Sequence, residues 1–395
     1  MNSPNEIAED IRVSLFYDIS DWAFHNVAKN IERIAGAPYV VKLIAREEWF
    51  GIPGKSNQIL ADSDLAVFLW RFDLLAFLDS LGDAGWRHLK RAQRCAFVTL
   101  VYDHVYDRKS DLDNLGNPFV IADCIAASSQ RLCQYYGETE HLPDIHHCVQ
   151  DGVDLAKFSP PDKDTPVEGR PLRIGWVGNS DWGITLGHDF KGRWAILEPA
   201  LKTLKNGGLP FTVHIADKAK KQVPRDAMPD FYRNIDVLVC CSLFEGTPNP
   251  VLEAMASGCA VISTDVGIVP DIFGPLQMGF LLPERSVAAL ASSLAQLISE
   301  PETLLALKRE NLQRRGPLDW RTRWPAWRSL FEEARENALT EKGATLALAE
   351  FRSRPRTRLA RIRQIIATNR IAFRSYSLLL ERWPGFIRWS KKLLT

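Results

Sequence analysis

Glu245 and Glu253 bracket a proline-punctuated run, Glu245-Gly-Thr-Pro-Asn-Pro-Val-Leu-Glu253, which continues through Ala-Met-Ala-Ser to Gly258. The residue types suit recognition of a polyhydroxylated anion. Asn249 is a good N-cap, Pro250 fits the first helical position and Gly258 can end the helix, so a short helix is expected. Pro248 and Pro250 carry no N–H. The amides of Asn249, Val251 and Leu252 are therefore the donors left for an anion such as a diphosphate at the positive end of that helix. Glu245 hangs from the loop before it. Glu253, about one turn in, can accept hydrogen bonds from a ribose diol.

The elements that position these groups are legible on either side. Asp236-Val-Leu-Val-Cys-Cys241 and Ala260-Val-Ile-Ser-Thr264 are apolar and β-rich, so the motif occupies a strand–loop–helix–strand unit. Upstream, strands are predicted at Leu172 to Val177 and Phe211 to Ile215, with helices at Trp194 to Leu204 and Pro229 to Asn234. Downstream, a strand is predicted at Gly279 to Leu282, a helix at Val287 to Ile298 and a long helix at Trp320 to Leu339. The first part of the chain has the same rhythm. Strands are expected at Ile11 to Tyr17, Tyr39 to Ile44, Leu65 to Trp70, Ala96 to Tyr102 and Val120 to Ala127, with helical stretches between, the first from Trp22 to Ile34. Such alternation makes parallel sheets covered on both faces, an α/β fold of two doubly wound, Rossmann-like domains facing a cleft.

With 395 residues the chain exceeds the ~250 to 300 at which one core stops growing. The Pro- and Asp-rich stretch Ser159 to Pro166 reads as a linker. The expected division is 1–160 as one Rossmann-like domain, 161–318 as a second, 319–340 as a long helix, and 341–395 as a basic amphipathic helical tail. A composition of 46% hydrophobic and 25% charged residues is ordinary for a globular protein. The polar, acidic N-terminus lacks the basic and apolar regions of a secretory signal, and no apolar run is long enough to span a bilayer. A cytoplasmic protein is expected. Seven cysteines without a C-x-x-C spacing point to reduced thiols.

Four segments in order now identify a family. Asp151-Gly-Val-Asp154 with Phe158-Ser-Pro160, Arg173-Ile-Gly-Trp-Val-Gly178, Met228-Pro-Asp-Phe-Tyr232 leading into Asp236, and the Glu-x7-Glu motif resemble the retaining nucleotide-sugar glycosyltransferases of GT-B fold known as family 4 (glycosyl transferases group 1). The resemblance covers roughly residues 150 to 270. It implies transfer of a hexosyl or related sugar from a nucleotide-diphosphate sugar to the hydroxyl of a glycan or lipid-linked acceptor, in cell-envelope polysaccharide or glycolipid synthesis. It also implies that no cofactor or divalent metal is needed, and that retention follows from front-face attack with the leaving phosphate oxygen taking the acceptor's proton. By the same resemblance Glu245 contacts donor-sugar hydroxyls. Lys191, in Phe190-Lys-Gly192, neutralises the diphosphate, and the Thr247 to Val251 amides orient sugar and diphosphate. Gly178, Asn179, Arg193, Thr247, Pro248, Asn249, Val251, Leu252 and Glu253 complete the donor side. His104, at the end of Val98-Thr-Leu-Val-Tyr-Asp-His104, matches the family's donor-contacting histidine, with Asp103 one residue off the pattern.

Departures from the family pattern are equally visible. Asn179 stands where an arginine usually follows the first strand's glycine, so Arg193 becomes the substitute cation. The family's glycine pair after the first strand is replaced by Asp18-Ile-Ser-Asp-Trp-Ala-Phe-His25, which makes Asp21, Trp22 and His25 acceptor-side candidates. Two rival functions stay open: a sugar-nucleotide epimerase or hydrolase on the same scaffold, and a catalytically silent glycosyltransferase-like scaffold subunit. His146-His147 has no matching Cys or carboxylate spacing and is read as a surface pair, so no metal site is expected. Asp111-x-Asp113 is read as loop. P-loop and G-x-G-x-x-G patterns are absent.

From Phe351 to Thr395 ten Arg and two Lys face one acid, Glu381, leaving the first 350 residues at −10 in a chain of net charge +1. Interleaved Ile, Leu, Phe and Trp make this 351–395 segment an expected ligand of an anionic membrane surface, at the inner face of the cell membrane, rather than of nucleic acid, for which no motif is present. Each basic residue near such a surface contributes ~1 kcal/mol. The full chain should therefore co-sediment with liposomes containing anionic lipid at low salt, and a version ending near Lys342 should stay in the supernatant. Equal behaviour of the two would remove the tail from membrane binding.

Overall fold

The computed structural model describes residues 9–89, 94–104, 109–110, 112, 116–161, 169–182, 184, 187–221 and 223–339. The basic segment 351–395, Asp111, Asp113 and residues 162–166 of the expected linker lie outside the described residues. The chain divides into two compact units. One comprises Met1–Ala127, Cys133–Val149 and Trp324–Thr395, and the other Ser128–Leu132 and Gln150–Arg323. The second unit thus starts ten residues before the expected boundary at 160. Its reason is local: Val153 pairs with Asp319, its amide donating to Leu318 O at 2.8 Å while Trp320 N donates to Val153 O at 3.3 Å. This ties Asp151-Gly-Val-Asp154 to the second unit.

The first unit runs β1 (Ile11–Tyr17), α1 (Ala23–Ala35), β2 (Tyr39–Ala45), β3 (Leu65–Phe68), α2 (Arg71–Asp79), β4 (Ala96–Val101), β5 (Cys124–Ala127), α3 (Gln130–Glu138) and β6 (His147–Cys148), with short helical turns between. Its strands are all parallel, in the order β2-β1-β3-β4-β5-β6. Parallel strands covered on both faces must be apolar throughout, and β3 and β4 are wholly buried. Aromatic residues fill one face, where Phe16 stacks on Phe68 at 4.3 Å and meets Trp49 and Phe77 edge-on. The predicted strand at Val120 to Ala127 shortens to Cys124–Ala127, because Ile121 and Ala122 turn back to donate to Pro118 O.

The second unit continues with β7 (Leu172–Gly178), α4 (Glu198–Asn206, entered through a wide turn at Arg193–Leu197), β8 (Phe211–Asp217), α5 (Met228–Arg233), β9 (Val237–Cys240), α6 (Asn249–Ala256), β10 (Ala260–Thr264), β11 (Leu281–Leu282), α7 (Val287–Ser299) and α8 (Pro301–Arg314). The final helix α9 (Trp320–Leu339) starts in this unit and ends in the first. The five strands are parallel, in the order β11-β10-β9-β7-β8. Alternation along β9 sends Val237 and Val239 to the core under α4 and α7, and Leu238 to the core under α5 and α6. The predicted strand from Gly279 is mostly a 3₁₀ turn, Gln277–Phe280. There the buried Gln277 side chain bonds both Val261 N and Val261 O and takes the place of a strand partner. Both sheets reverse strand order, at β1/β3 and at β7/β9, and ligands of open α/β sheets collect beyond the carboxyl ends of the strands at such points.

At the opposite, amino end of β9 sits the fully buried Asp236, paired with Arg170 at 2.6 Å, Arg173 at 2.9 Å and Lys308 at 3.7 Å. Burial opposes its ionisation, but the hydrogen bonds from Arg170 and Arg173 prevail and hold its carboxyl well below the usual carboxylate range. A depressed folded-state pKa stabilises the fold above the unfolded value of ~3.9, and that stabilisation is lost as pH falls further toward the folded value. Asp236→Asn should cost ~3 to 5 kcal/mol at pH 7, since it leaves buried cations uncompensated. It should also flatten the fall in stability below about pH 4. Chemical denaturation at pH 7 and across pH 2.5–5 checks both, and an unchanged acid limb would remove Asp236 as its source.

Candidate functional site

Strands β7 and β9 end side by side, and the loops that follow them carry the charged residues of the motif. Gly178 closes β7. Asn179 then closes its own turn, its side chain accepting from Asp181 N at 3.1 Å and its carbonyl from Trp182 N. Asn179 therefore supplies no cation where the family pattern has one. The chain returns through Asp189, whose carboxylate accepts from Gly192 N at 2.8 Å, Trp194 N at 2.7 Å and Ala195 N at 2.8 Å. Asp189 thus satisfies the orphan amides at the start of the helical segment leading into α4. It also fixes the turn that presents Lys191. An acid three residues before a glycine at a helix start is a capping signal in the sequence.

Lys191 Nζ pairs with Glu245 Oε1, and Ser242 Oγ donates to the same oxygen at 2.7 Å. The loop after β7 and the loop after β9 are locked together. Leu243 N donates to Phe190 O at 2.8 Å, and Arg285 spans both by donating to Cys241 O at 2.9 Å and Asp189 O at 2.6 Å. Burial works against a charged Lys191, but the Glu245 carboxylate outweighs it and raises the ammonium pKa above its ordinary value. Lys191 therefore stays an ammonium near neutrality. Gly192 sits at φ 71° with Cys241 O directly against it, so no side chain fits there.

The motif helix begins one residue earlier than expected. Asn249 is its first residue rather than its N-cap, and Pro248 occupies the cap position without a side-chain hydrogen bond. The amides of Asn249 and Val251 donate to Thr247 O at 2.9 Å and Pro248 O at 2.8 Å, so neither is the open donor that the proline spacing suggested. The physical reason is that two prolines flanking Asn249 tighten the chain into successive turns that use these amides internally. Val251 and Leu252 are core residues. The Thr247 hydroxyl is buried and has no partner among the described residues.

Glu253 is only 3% exposed. Its carboxylate accepts from Tyr232 OH at 2.8 Å and pairs with Arg225. Arg225 lies over the Phe158 ring at 5.0 Å, and Phe158 meets Tyr232 edge-on at 5.8 Å. Three of the sequence segments, those of Phe158, Tyr232 and Glu253, thus meet in one cluster. Arg225 is the member that sequence reading missed. No local pattern marks it, because the contact joins elements far apart in the chain. Arg193, the expected substitute cation, pairs with Asp217 at 2.5 Å and stacks over Trp194 at 4.7 Å and Trp176 at 5.5 Å. Its charge is already matched.

In the first unit, Asp103 and His104 leave the carboxyl end of β4. Asp103 pairs with the fully buried Arg71 at the start of α2, and His104 packs edge-on against Tyr135 at 4.6 Å. After β1 the bulky loop closes on itself. Asp21 N donates to His25 Nδ1 at 2.8 Å, Asp21 sits at φ 60°, and His25 stacks on Tyr17 at 4.3 Å. Burial, helped by Lys29, lowers the His25 pKa, so its imidazole stays neutral and its acceptor nitrogen holds the turn. Trp22 is half-buried beside it. His147 is not a surface residue: β6 places it against Glu333, its Nε2 at 2.8 Å from Oε2, with Cys124 alongside.

The fold is the α/β GT-B architecture, and its two parallel sheets match solved examples. Sucrose-phosphate synthase from Thermosynechococcus elongatus superposes with a TM-score of 0.58 at 14% identity, over 82% of this chain and 98% of that one. Anabaena Alr3699/HepE in complex with UDP-glucose gives 0.60 at 14% identity, over 82% and 98%. At that identity the likeness concerns the fold. Residues 218–315, which hold Tyr232, Glu245 and Glu253, match the family model "Glycosyl transferases group 1". The lipopolysaccharide core biosynthesis mannosyltransferase LpsB of Rhizobium meliloti (strain 1021) is 28% identical over 137 residues, 34% of this chain and 37% of that protein. The chain spans between about a fifth and a half of the length of the curated relatives it matches.

Because Gly192 both turns the chain and touches Cys241, Gly192→Ala should lower unfolding free energy by ~1 to 3 kcal/mol. Denaturant melts check this, and a stability equal to the parent's would mean that the two loops are not held as closely as described.

Proposed function

We propose that the chain is a retaining, metal-independent glycosyltransferase that moves a sugar from a nucleotide-diphosphate sugar to an acceptor hydroxyl in cell-envelope polysaccharide or glycolipid synthesis. The observation that carries this reading is the convergence of Lys191, Glu245 and the unmatched Thr247 hydroxyl beyond the carboxyl ends of β7 and β9. Lys191 is the cation for the diphosphate, and the departing phosphate gains its charge beside an ammonium that Glu245 keeps protonated. Glu245, released from Lys191 as the diphosphate enters, accepts from the donor sugar's hydroxyls, and Thr247 supplies a further hydrogen bond. Glu253 receives the ribose diol once Arg225 gives way, with Tyr232 keeping the carboxylate in place. Attack then comes from the face that the diphosphate leaves, whose oxygen takes the acceptor's proton. Glu245 need not become covalently linked to sugar.

The relatives support this reading by the words in their names, which include a mannosyltransferase of lipopolysaccharide core biosynthesis and a structure holding UDP-glucose. His104 and Asp103 are proposed to face the sugar, and Asp21, Trp22 and His25 the acceptor, with the 351–395 segment holding the protein at the inner face of an anionic membrane. One observation favours the silent-subunit reading. Arg193 is neutralised by Asp217 and Asn179 is spent on its own turn, which leaves Lys191 as the sole cation of the expected clamp among the described residues.

A thermal-shift screen against UDP-, GDP-, dTDP- and CDP-sugars identifies the donor, a ligand at 100 times its dissociation constant adding ~2.7 kcal/mol. With that donor and a glycolipid extract as acceptor, Glu245→Gln should reduce kcat at least ~100-fold, a loss of ~2.7 kcal/mol in transition-state stabilisation. Glu253→Gln should instead weaken nucleotide binding by ~1.5 to 3 kcal/mol. Initial rates should survive excess EDTA. Binding of the donor without turnover in the parent protein would favour the silent subunit, and Mn²⁺- or Mg²⁺-dependent turnover would overturn the metal-free mechanism.

A further inference from the structure

Three side chains of different chemistry meet in the first unit, on elements that carry none of the donor-side candidates. Cys124 begins β5, His147 begins the neighbouring edge strand β6, and Glu333 projects from α9. Cys124 Sγ lies 3.9 Å from Glu333 Oε1, and His147 Nε2 lies 2.8 Å from Glu333 Oε2. One ligand atom from each lies within 4.8 Å of the other two. Tetrahedral zinc holds sulfur at ~2.3 Å and nitrogen or oxygen at ~2.0 to 2.2 Å, which sets its ligand atoms ~3.2 to 3.8 Å apart. Separations of up to 4.8 Å close to that range with movements of about 1 Å, within reach of side-chain rotation. Its frame is rigid, since two sheet strands carry Cys and His, and Asn337 on α9 donates to Asp123 O at 2.9 Å, holding the helix over the strand start.

We propose that Cys124, His147 and Glu333 form a binding site for a zinc-class divalent cation. A thiolate, an imidazole and a carboxylate together select a borderline-soft ion and reject Mg²⁺ and Ca²⁺, which take oxygen donors. On binding, the Cys124 S–H bond breaks, the sulfur pair forms the metal bond and the proton passes to solvent. Three protein ligands leave the fourth position to water. The exposures of Glu333 and His147, 49% and 16%, leave a path for it. The ion would fasten the last turns of α9 to the sheet edge, a role separate from the donor chemistry and independent of it.

Titrating the metal-stripped full chain with Co²⁺ under reducing, anaerobic conditions tests this. The expected result is one equivalent of Co²⁺ with the near-ultraviolet thiolate-to-metal band and the visible bands of a tetrahedral ion, displaced by Zn²⁺ and unaffected by excess Mg²⁺. Cys124→Ser, close to isosteric, should abolish the thiolate band, and Glu333→Gln should weaken binding at least tenfold. Absence of the band in the parent, or its persistence in Cys124→Ser, overturns the site and leaves His147 and Glu333 as a plain ion pair. Circular dichroism of both variants separates loss of metal from loss of fold.

Discussion

Strands β7 and β9 are neighbours in space although β8 comes between them in the chain, and the remainder of the donor-side architecture follows from that order. The chain leaving β7 and the chain leaving β9 must turn to opposite sides of the sheet, and the space between their first residues is covered by neither. What fills it has to come from the loops. The residues found there are those of a polar seam: Asp189 capping the helical segment, Lys191 held by Glu245, Ser242 steadying Glu245, and Arg285 bridging both loops through carbonyl oxygens. None of these contacts could form if the strands were in sequential order. The hydrophobic cores under the two faces fix the strands, and the strands fix the seam.

Charge matching is the second constraint. Three cations near the strand ends already have carboxylate partners: Lys191 with Glu245, Arg225 with Glu253 and Arg193 with Asp217. In surroundings that exclude most water, an unmatched charge costs several kcal/mol, so such pairs are the condition for the ligand-free fold to hold these residues at all. Binding an anion is then an exchange of partners. A diphosphate that displaces Glu245 from Lys191 keeps the ammonium satisfied and frees a carboxylate for hydroxyl donors, whereas one that displaces Asp217 from Arg193 would strip an acceptor from the Ser180 and Ala219 amides as well. The first exchange would disturb less, so on the proposed reading Lys191 rather than Arg193 is the cation that a diphosphate would meet.

Much of this was legible in the sequence because it is local. Strand and helix rhythm from β7 to β10 follows from apolar runs of strand length alternating with helical spacing, and the Glu-x7-Glu motif states its own strand–loop–helix context. Resemblance to a family added the identity of Lys191, which spacing alone could not give. What escaped was of two kinds. The helix start at Asn249 was displaced by one residue because consecutive proline turns compete with capping, a balance of small local terms. Arg225, the Tyr232–Glu253 contact and the Cys124–His147–Glu333 cluster escaped because they join residues 21 to 209 positions apart, and no periodicity reports such meetings.

The two sets of ligand-type side chains differ in a way that bears on how the protein divides its labour. In the second unit the anion-facing groups are an ammonium, hydroxyls and carboxylates already held by cations, so a hard divalent ion would have to compete with Lys191 and Arg225 for oxygen ligands. In the first unit the sulfur, nitrogen and oxygen atoms meet around Glu333, whose carboxylate lies 2.8 Å from His147 Nε2. A metal there replaces one proton and one weak pair rather than several strong ones. Electrostatics thus separates the two tasks. On the proposed readings, diphosphate charge would be answered by side-chain ammonium where oxygen ligands are committed, and a soft divalent cation would be accommodated where a thiol lies beside an exposed carboxylate.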